Sequence, residues 1–219
     1  HQDGKAHGIA LADGRTITAR RAVIANVAPG ALPGLTGTDS AFDRRLSAYT
    51  HAPGTMMIHL ALSDLPAWPD PALRDYAYVH LAADLDQMAR TYAQAQAGLL
   101  PDAPILVVGQ PTRYDPSRAP EGKHTLWVQV RMCPGTIRGD AGGEIAATDW
   151  AEAAEPFAAR ALAILEAHAP GTTARILAKR IVPPTDLAAD NPNLVGGDQL
   201  CARPHLAQHC LARPLRGHA

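Results

Sequence analysis

The chain has 219 residues, 47% of them hydrophobic and 19% charged, with 20 Lys and Arg against 21 Asp and Glu. That is enough apolar material for one full core, or for one domain plus part of another, and too much for a disordered chain. A net charge of −1 leaves no cationic surplus to neutralise phosphates, which argues against nucleic acid as a partner.

No apolar run approaches the ~20 residues of a membrane span, and residues 1–21 lack the basic start and apolar stretch of a signal peptide. A cytoplasmic protein is the expectation. Three cysteines, Cys133, Cys201 and Cys210, cannot all pair, which fits a reducing compartment. The opening from His1 to Lys5 reads like a hairpin turn, so the chain is expected to start mid-domain.

In chain order, Ile9 to Ala12, the Asp13-Gly14 pair and Arg15 to Ala19 predict a hairpin, because Gly14 suits a positive-φ turn position. Arg21 to Asn26 predicts a short strand ended by Pro29-Gly30. Residues 30–38, with three glycines and Pro33, predict a linker. Asp39 is placed to cap a short helix running to Ala48. Thr55 to Leu62 and Tyr76 to Leu81 predict strands. Asp84 opens a helix whose apolar stripe would be Leu85, Met88, Tyr92, Ala95 and Leu99.

Ile105 to Gly109 predicts another strand and Thr112 to Gly122 a proline-rich loop. In the strand from Thr125 to Met132, Leu126, Val128 and Val130 alternate with Trp127 and Gln129. A second long helix is expected from a Thr148 cap to His168, burying Trp150, Phe157, Ala161, Ile164 and Leu165, and stopped by Pro170-Gly171. Thr173 to Val182 predicts the last strand, ended by Pro183-Pro184, with loops beyond. The fold class is therefore α/β in the broad α+β sense: a mixed sheet backed by two long helices.

Chemistry is sparse. None of Ser40, Ser47, Ser63 and Ser117 lies in a Gly-x-Ser-x-Gly elbow, and neither a Walker loop nor a Gly-x-Gly-x-x-Gly cradle occurs. Cys201, His205, His209 and Cys210 have metal-ligand spacing, but Pro204 interrupts the helix that would align them, so no metal is expected. His59 reads as a core histidine, Met56 and Met57 as core filling, and Trp127 either as a core anchor or as a pocket wall.

Three segments carry a resemblance. The run from Gly8 to Asn26 followed by Pro29 looks like the hairpin that closes one lobe of a flavin domain. Pro111 to Val130, with Tyr114, Asp115-Pro116 and Trp127, is similar to the mid-domain stretch of phytoene dehydrogenase-related proteins. Asn191 to Asp198, with His205, Gln208 and Arg213-Pro214, resembles the loop that this group sets beside its flavin.

The resemblance is to the FAD-dependent phytoene dehydrogenase-related and amine oxidoreductase family, including its pyridine nucleotide-disulfide oxidoreductase domain-containing type 2 group. It implies a partial FAD domain over residues 1–29, a substrate domain over 39–190 and a return segment over 191–219. It also implies an FAD oxidoreductase acting on a C–C or C–N bond of a small apolar substrate, in a fragment that lacks the main flavin motifs. Gly196, Gly197, Asp198, His205 and Gln208 would lie nearest the flavin, and no catalytic residue is carried over. A non-catalytic binding or regulatory domain of the same descent is the alternative, and oligomeric state is left open.

Overall fold

The computed structural model describes residues 5–205 together with Gln208. The chain forms two compact units: one holds the residues up to Thr50 and the segment from Pro204, the other His51–Arg203.

The first unit opens with the expected hairpin, β1 (Gly8–Ala10) antiparallel to β2 (Thr16–Thr18). Gly14 takes φ +84° in its turn, and the Asp13 carboxylate accepts the Arg15 amide at 3.0 Å. Residues 21–26 do not form the predicted strand: no described strand pairs with them, and Ile24 is 89% exposed. The predicted linker instead contains α1 (Leu32–Thr36), which Gly37 ends in the left-handed conformation at φ +63°. The next helix, α2 (Ala41–Ser47), is capped by Ser40 rather than Asp39. The Ser40 hydroxyl accepts the Asp43 amide at 3.1 Å and Asp43 accepts the Ser40 amide at 2.8 Å, a closed capping box.

The second unit runs β3 (Gly54–Leu62), β4 (Tyr78–Leu81), α3 (Leu85–Gln96), β5 (Leu99–Leu100), β6 (Ile105–Gly109), β7 (His124–Cys133) and β8 (Gly139–Asp140). It then continues with α4 (Trp150–His168), β9 (Ile176–Val182) and α5 (Pro184–Asp190). Five strands form one sheet in the order β4-β6-β7-β3-β9. The α/β class holds, and every pairing in this sheet is antiparallel; the parallel pairing among the described residues is the two-residue β5–β8 ladder.

Strand alternation decides what the sheet buries. Met56, Ile58, Leu60 and Leu62 of β3 point the same way as Leu126, Val128 and Val130 of β7, all at most 3% exposed. Trp150, Ala153, Phe157, Ala161 and Leu165 of α4 belong to the same core cluster, at spacings of three and four that keep one helical stripe inward. Burying each large apolar side chain here stabilises the fold by roughly 1.5–3 kcal/mol. The helix is capped by Asp149, one residue after the predicted Thr148, through the Glu152 amide at 2.9 Å.

Two expectations change. In α3 the predicted apolar stripe faces inward only at its C-terminal end: Ala95 is buried and Tyr92 and Leu99 are half-buried, but Leu85 is 78% and Met88 45% exposed, and the buried residue of the middle turn is Thr91. The Thr91 hydroxyl donates to the Ala103 carbonyl at 3.1 Å, so a polar anchor fixes this short helix. Beyond β9, Pro183-Pro184 ends the strand but also starts α5, because Pro184 at the first helical position loses no needed N–H. No helix among the described residues is long and apolar enough to cross a membrane.

Candidate functional site

The same alternation that fills the core leaves a second sheet face carrying polar and aromatic side chains. Along one row across the five strands the paired residues are Arg180, His59, Trp127, Gly109 and Tyr78. His59, Arg180 and Tyr78 are exposed and Trp127 is half-buried. His59 is thus on the open face, not in the core as its strand suggested, and Trp127 is a pocket wall.

Gly109 explains how the indole lies. A Cβ there would sit 2.2 Å from Trp127 Cε2 and 2.5 Å from Cζ2, so the ring rests on the bare backbone of its cross-strand partner. Tyr78 flanks it at 5.3 Å between ring centroids, tilted by 51°. Gly109→Val is expected to drive the ring off this seat, costing about 1–3 kcal/mol as overpacking does and altering tryptophan emission. Unchanged stability and emission in that variant, measured by urea titration, would contradict the packing.

Beside the row lies a cleft of about 500 Å³, lined by His59, Thr125, Trp127, Ala178, Arg180 and Arg118 among others. Partial burial, and then the nearby Arg180 charge, hold the His59 imidazole below its usual pKa. Neutral His59 with an adjacent guanidinium suits binding and proton acceptance more than proton donation.

The residues that the resemblance set beside a flavin fall in different units. Gly196, Gly197 and Asp198 form one turn of the second unit. Gly196 and Gly197 take φ +63° and +77°, a reason for glycine at both. A Cβ on Gly197 would lie 2.6 Å from Pro184, and one on Gly54 would lie 2.4 Å from the Gly196 carbonyl oxygen. Asp198 is fully buried, accepts the Ala52 amide at 2.9 Å and the Leu200 amide at 2.8 Å, and lies 3.3 Å from His51 Nδ1.

His205 and Gln208 belong to the first unit. Gln208 accepts from the Thr50 amide and hydroxyl, both at 2.9 Å, and donates to the Thr50 carbonyl at 2.8 Å. His205 Nε2 is 3.4 Å from the Thr50 hydroxyl. Among the described residues no three His, Cys, Asp or Glu side chains converge on a metal-sized site. His209, Cys210, Arg213 and Pro214 lie outside the described residues.

A flavin dinucleotide needs close-approaching backbone amides for its pyrophosphate. The two-glycine turn offers an open flank at Gly196 alone, where a Cβ would meet nothing within 4 Å. Its Asp198 carboxylate is committed to the Ala52 and Leu200 amides, and the Gly197 and Asp198 amides to the Leu194 and Val195 carbonyls. The described residues do not by themselves fit such a cofactor.

No family profile matches the chain. Over its whole length it is similar to mouse (Mus musculus) pyridine nucleotide-disulfide oxidoreductase domain-containing protein 2, at 27% identity across 239 residues. Over 64% of its length it is 30% identical to phytoene dehydrogenase of Streptomyces griseus. The chain is thus distantly homologous to proteins named pyridine nucleotide-disulfide oxidoreductase domain-containing protein 2 and phytoene dehydrogenase. This homologue spans 39% of the mouse protein and 25% of the Streptomyces one. An oxidoreductase of known structure from Methanosarcina mazei is similar over 82% of the chain, with TM-score 0.45 and 19% identity.

The homologue's relatives are thus oxidoreductases by name, whereas its open sheet face carries no recognisable motif. Arg180 and the exposure of His59 carry no motif. The usable signal was the alternation of Trp127 with Leu126 and Val128, which assigns the indole to the non-core face.

Proposed function

We propose that this chain supplies the substrate-facing part of an FAD-dependent oxidoreductase that withdraws hydride equivalents from a C–C or C–N bond of a largely apolar substrate. The observation that carries the reading is the open sheet face, where the Trp127 ring on Gly109, flanked by Tyr78, floors a cleft of about 500 Å³. A flat aromatic floor is the chemistry of a pocket that orients an unsaturated substrate while a cofactor does the redox step. FAD, when bound, would supply the hydride acceptor, held mainly by residues other than those described here. Gly196, with its open flank, is the described residue best able to approach it. Gly197 and Asp198 hold the turn that presents Gly196, whereas His205 and Gln208, in the other unit, order the backbone at Thr50.

The test is the visible spectrum. The full-length gene product containing this chain is expected to show bound-flavin bands, and the isolated chain to stay colourless after incubation with FAD and desalting. A full-length protein that takes up no flavin would overturn the assignment. It would favour the second reading, a non-catalytic binding domain, which the internal commitment of Asp198 and Gln208 already supports.

A further inference from the structure

The cleft beside Trp127 is not uniformly apolar. Its lining includes the guanidinium groups of Arg180 and Arg118 and contains no Asp or Glu. Lys179, also at its edge, is occupied elsewhere: its ammonium pairs with Glu155 of α4 at 2.6 Å. Arg118 is held loosely, 3.9 Å from Asp115 across an exposed turn. Arg180 makes no ion pair among the described residues. It sits across the ladder from His59, one strand further from Trp127.

A guanidinium beside an aromatic floor, with no carboxylate to neutralise it, is complementary to a planar ligand that ends in an oxyanion. A purely hydrocarbon ligand would leave that charge without a counterpart and would gain nothing from it.

We propose that the cleft binds an organic acid: a flat unsaturated body lies against Trp127, and its carboxylate pairs with Arg180, with Arg118 at the mouth. This rests on the reading of the open face as the substrate side and narrows it, since the substrate would be amphiphilic and anionic, not a neutral hydrocarbon. Arg180 is then a binding residue that sets substrate class.

The test uses the full chain labelled with nitrogen-15 and follows the Trp127 indole N–H resonance during titration. The two probes are 2-naphthoate and its neutral isostere 2-naphthamide. Naphthoate is expected to bind about tenfold more tightly, the scale of one charge-assisted hydrogen bond. Arg180→Gln should abolish that preference and leave naphthamide binding unchanged. Arg180→Lys should retain part of it. Because Arg180 is exposed, these variants should melt with the wild type.

Equal binding of the two probes, unaffected by Arg180→Gln, would overturn the anionic assignment while leaving an apolar substrate face intact. No shift of the Trp127 resonance with either probe would overturn both.

Discussion

Asp140→Ala is expected to lower the unfolding free energy of the sheet unit by about 3–5 kcal/mol, the cost of leaving a buried partner without its counter-ion. The Asp140 side chain is 1% and the Arg160 side chain 11% exposed, and they meet as a two-point pair at 2.6 and 2.7 Å. Asp140 also accepts the Glu144 and Ile145 amides, both at 2.9 Å, and Arg160 donates to the Pro101 carbonyl at 2.9 Å. One carboxylate thus ties the β5–β8 ladder, the loop after it and α4 together.

Burial alone would push the Asp140 carboxyl up, but the Arg160 hydrogen bonds and the two amides outweigh it and hold the group well below the usual carboxylate range. The sign follows from linkage. A depressed folded-state pKa gives stability that is fully present above the unfolded value of about 3.9 and is lost as pH falls through the folded value. The gap between wild type and Asp140→Ala should therefore be constant from about pH 5 upward and shrink only in strong acid. Raising salt should change it little, since a buried pair is weakly screened. Urea titrations at several pH values read this out. A gap under about 1 kcal/mol at pH 7 would mean the pair is solvated and unimportant.

Phe157→Ala should cost about as much, about 3–5 kcal/mol, through the lost burial and the cavity left behind. The ring is fully buried, meets Trp150 edge-on at 5.9 Å, and lies under the Arg160 guanidinium at 5.8 Å. It anchors α4 on the sheet face opposite Trp127, so its loss weakens the support of the cleft floor without touching the cleft. Removing Phe157 and Asp140 together should give less than the sum, because Arg160 is shared between them, with a coupling of about 0.5–3 kcal/mol. Strict additivity in a double-mutant cycle would show that the two sites are independent. Phe157→Leu, which keeps most of the volume, should recover much of the single-variant loss.

The frame of the sheet unit was largely legible because its signals are local. Alternation in 55–62 and 125–132, the apolar stripe from Trp150 to Leu165, and polar caps before helices act within a few residues. The cap assignments slipped by one residue at Ser40 and Asp149, where the side chain that reaches the third amide decides. Elements without a long-range partner or with an ambiguous proline were misread. Residues 21–26 are apolar enough for a strand yet pair with none described, and Pro184 begins a helix where it was expected only to end a strand. Leu85 and Met88 have helical spacing, but nothing in the spacing says which side the sheet will cover.

The candidate site divides in the same way. The amino-acid sequence by itself carried the resemblance to oxidoreductases, and it determined that Trp127 and Leu126 face opposite ways. Only the tertiary structure decided that Arg180, His59, Trp127, Gly109 and Tyr78 share one row. Those residues come from five strands spread over about half of the chain, and their alignment depends on pairing register, which is a property of strands meeting and not of any one of them. The choice of the Trp127 face as the open one was likewise made by α4, whose buried stripe took the other side.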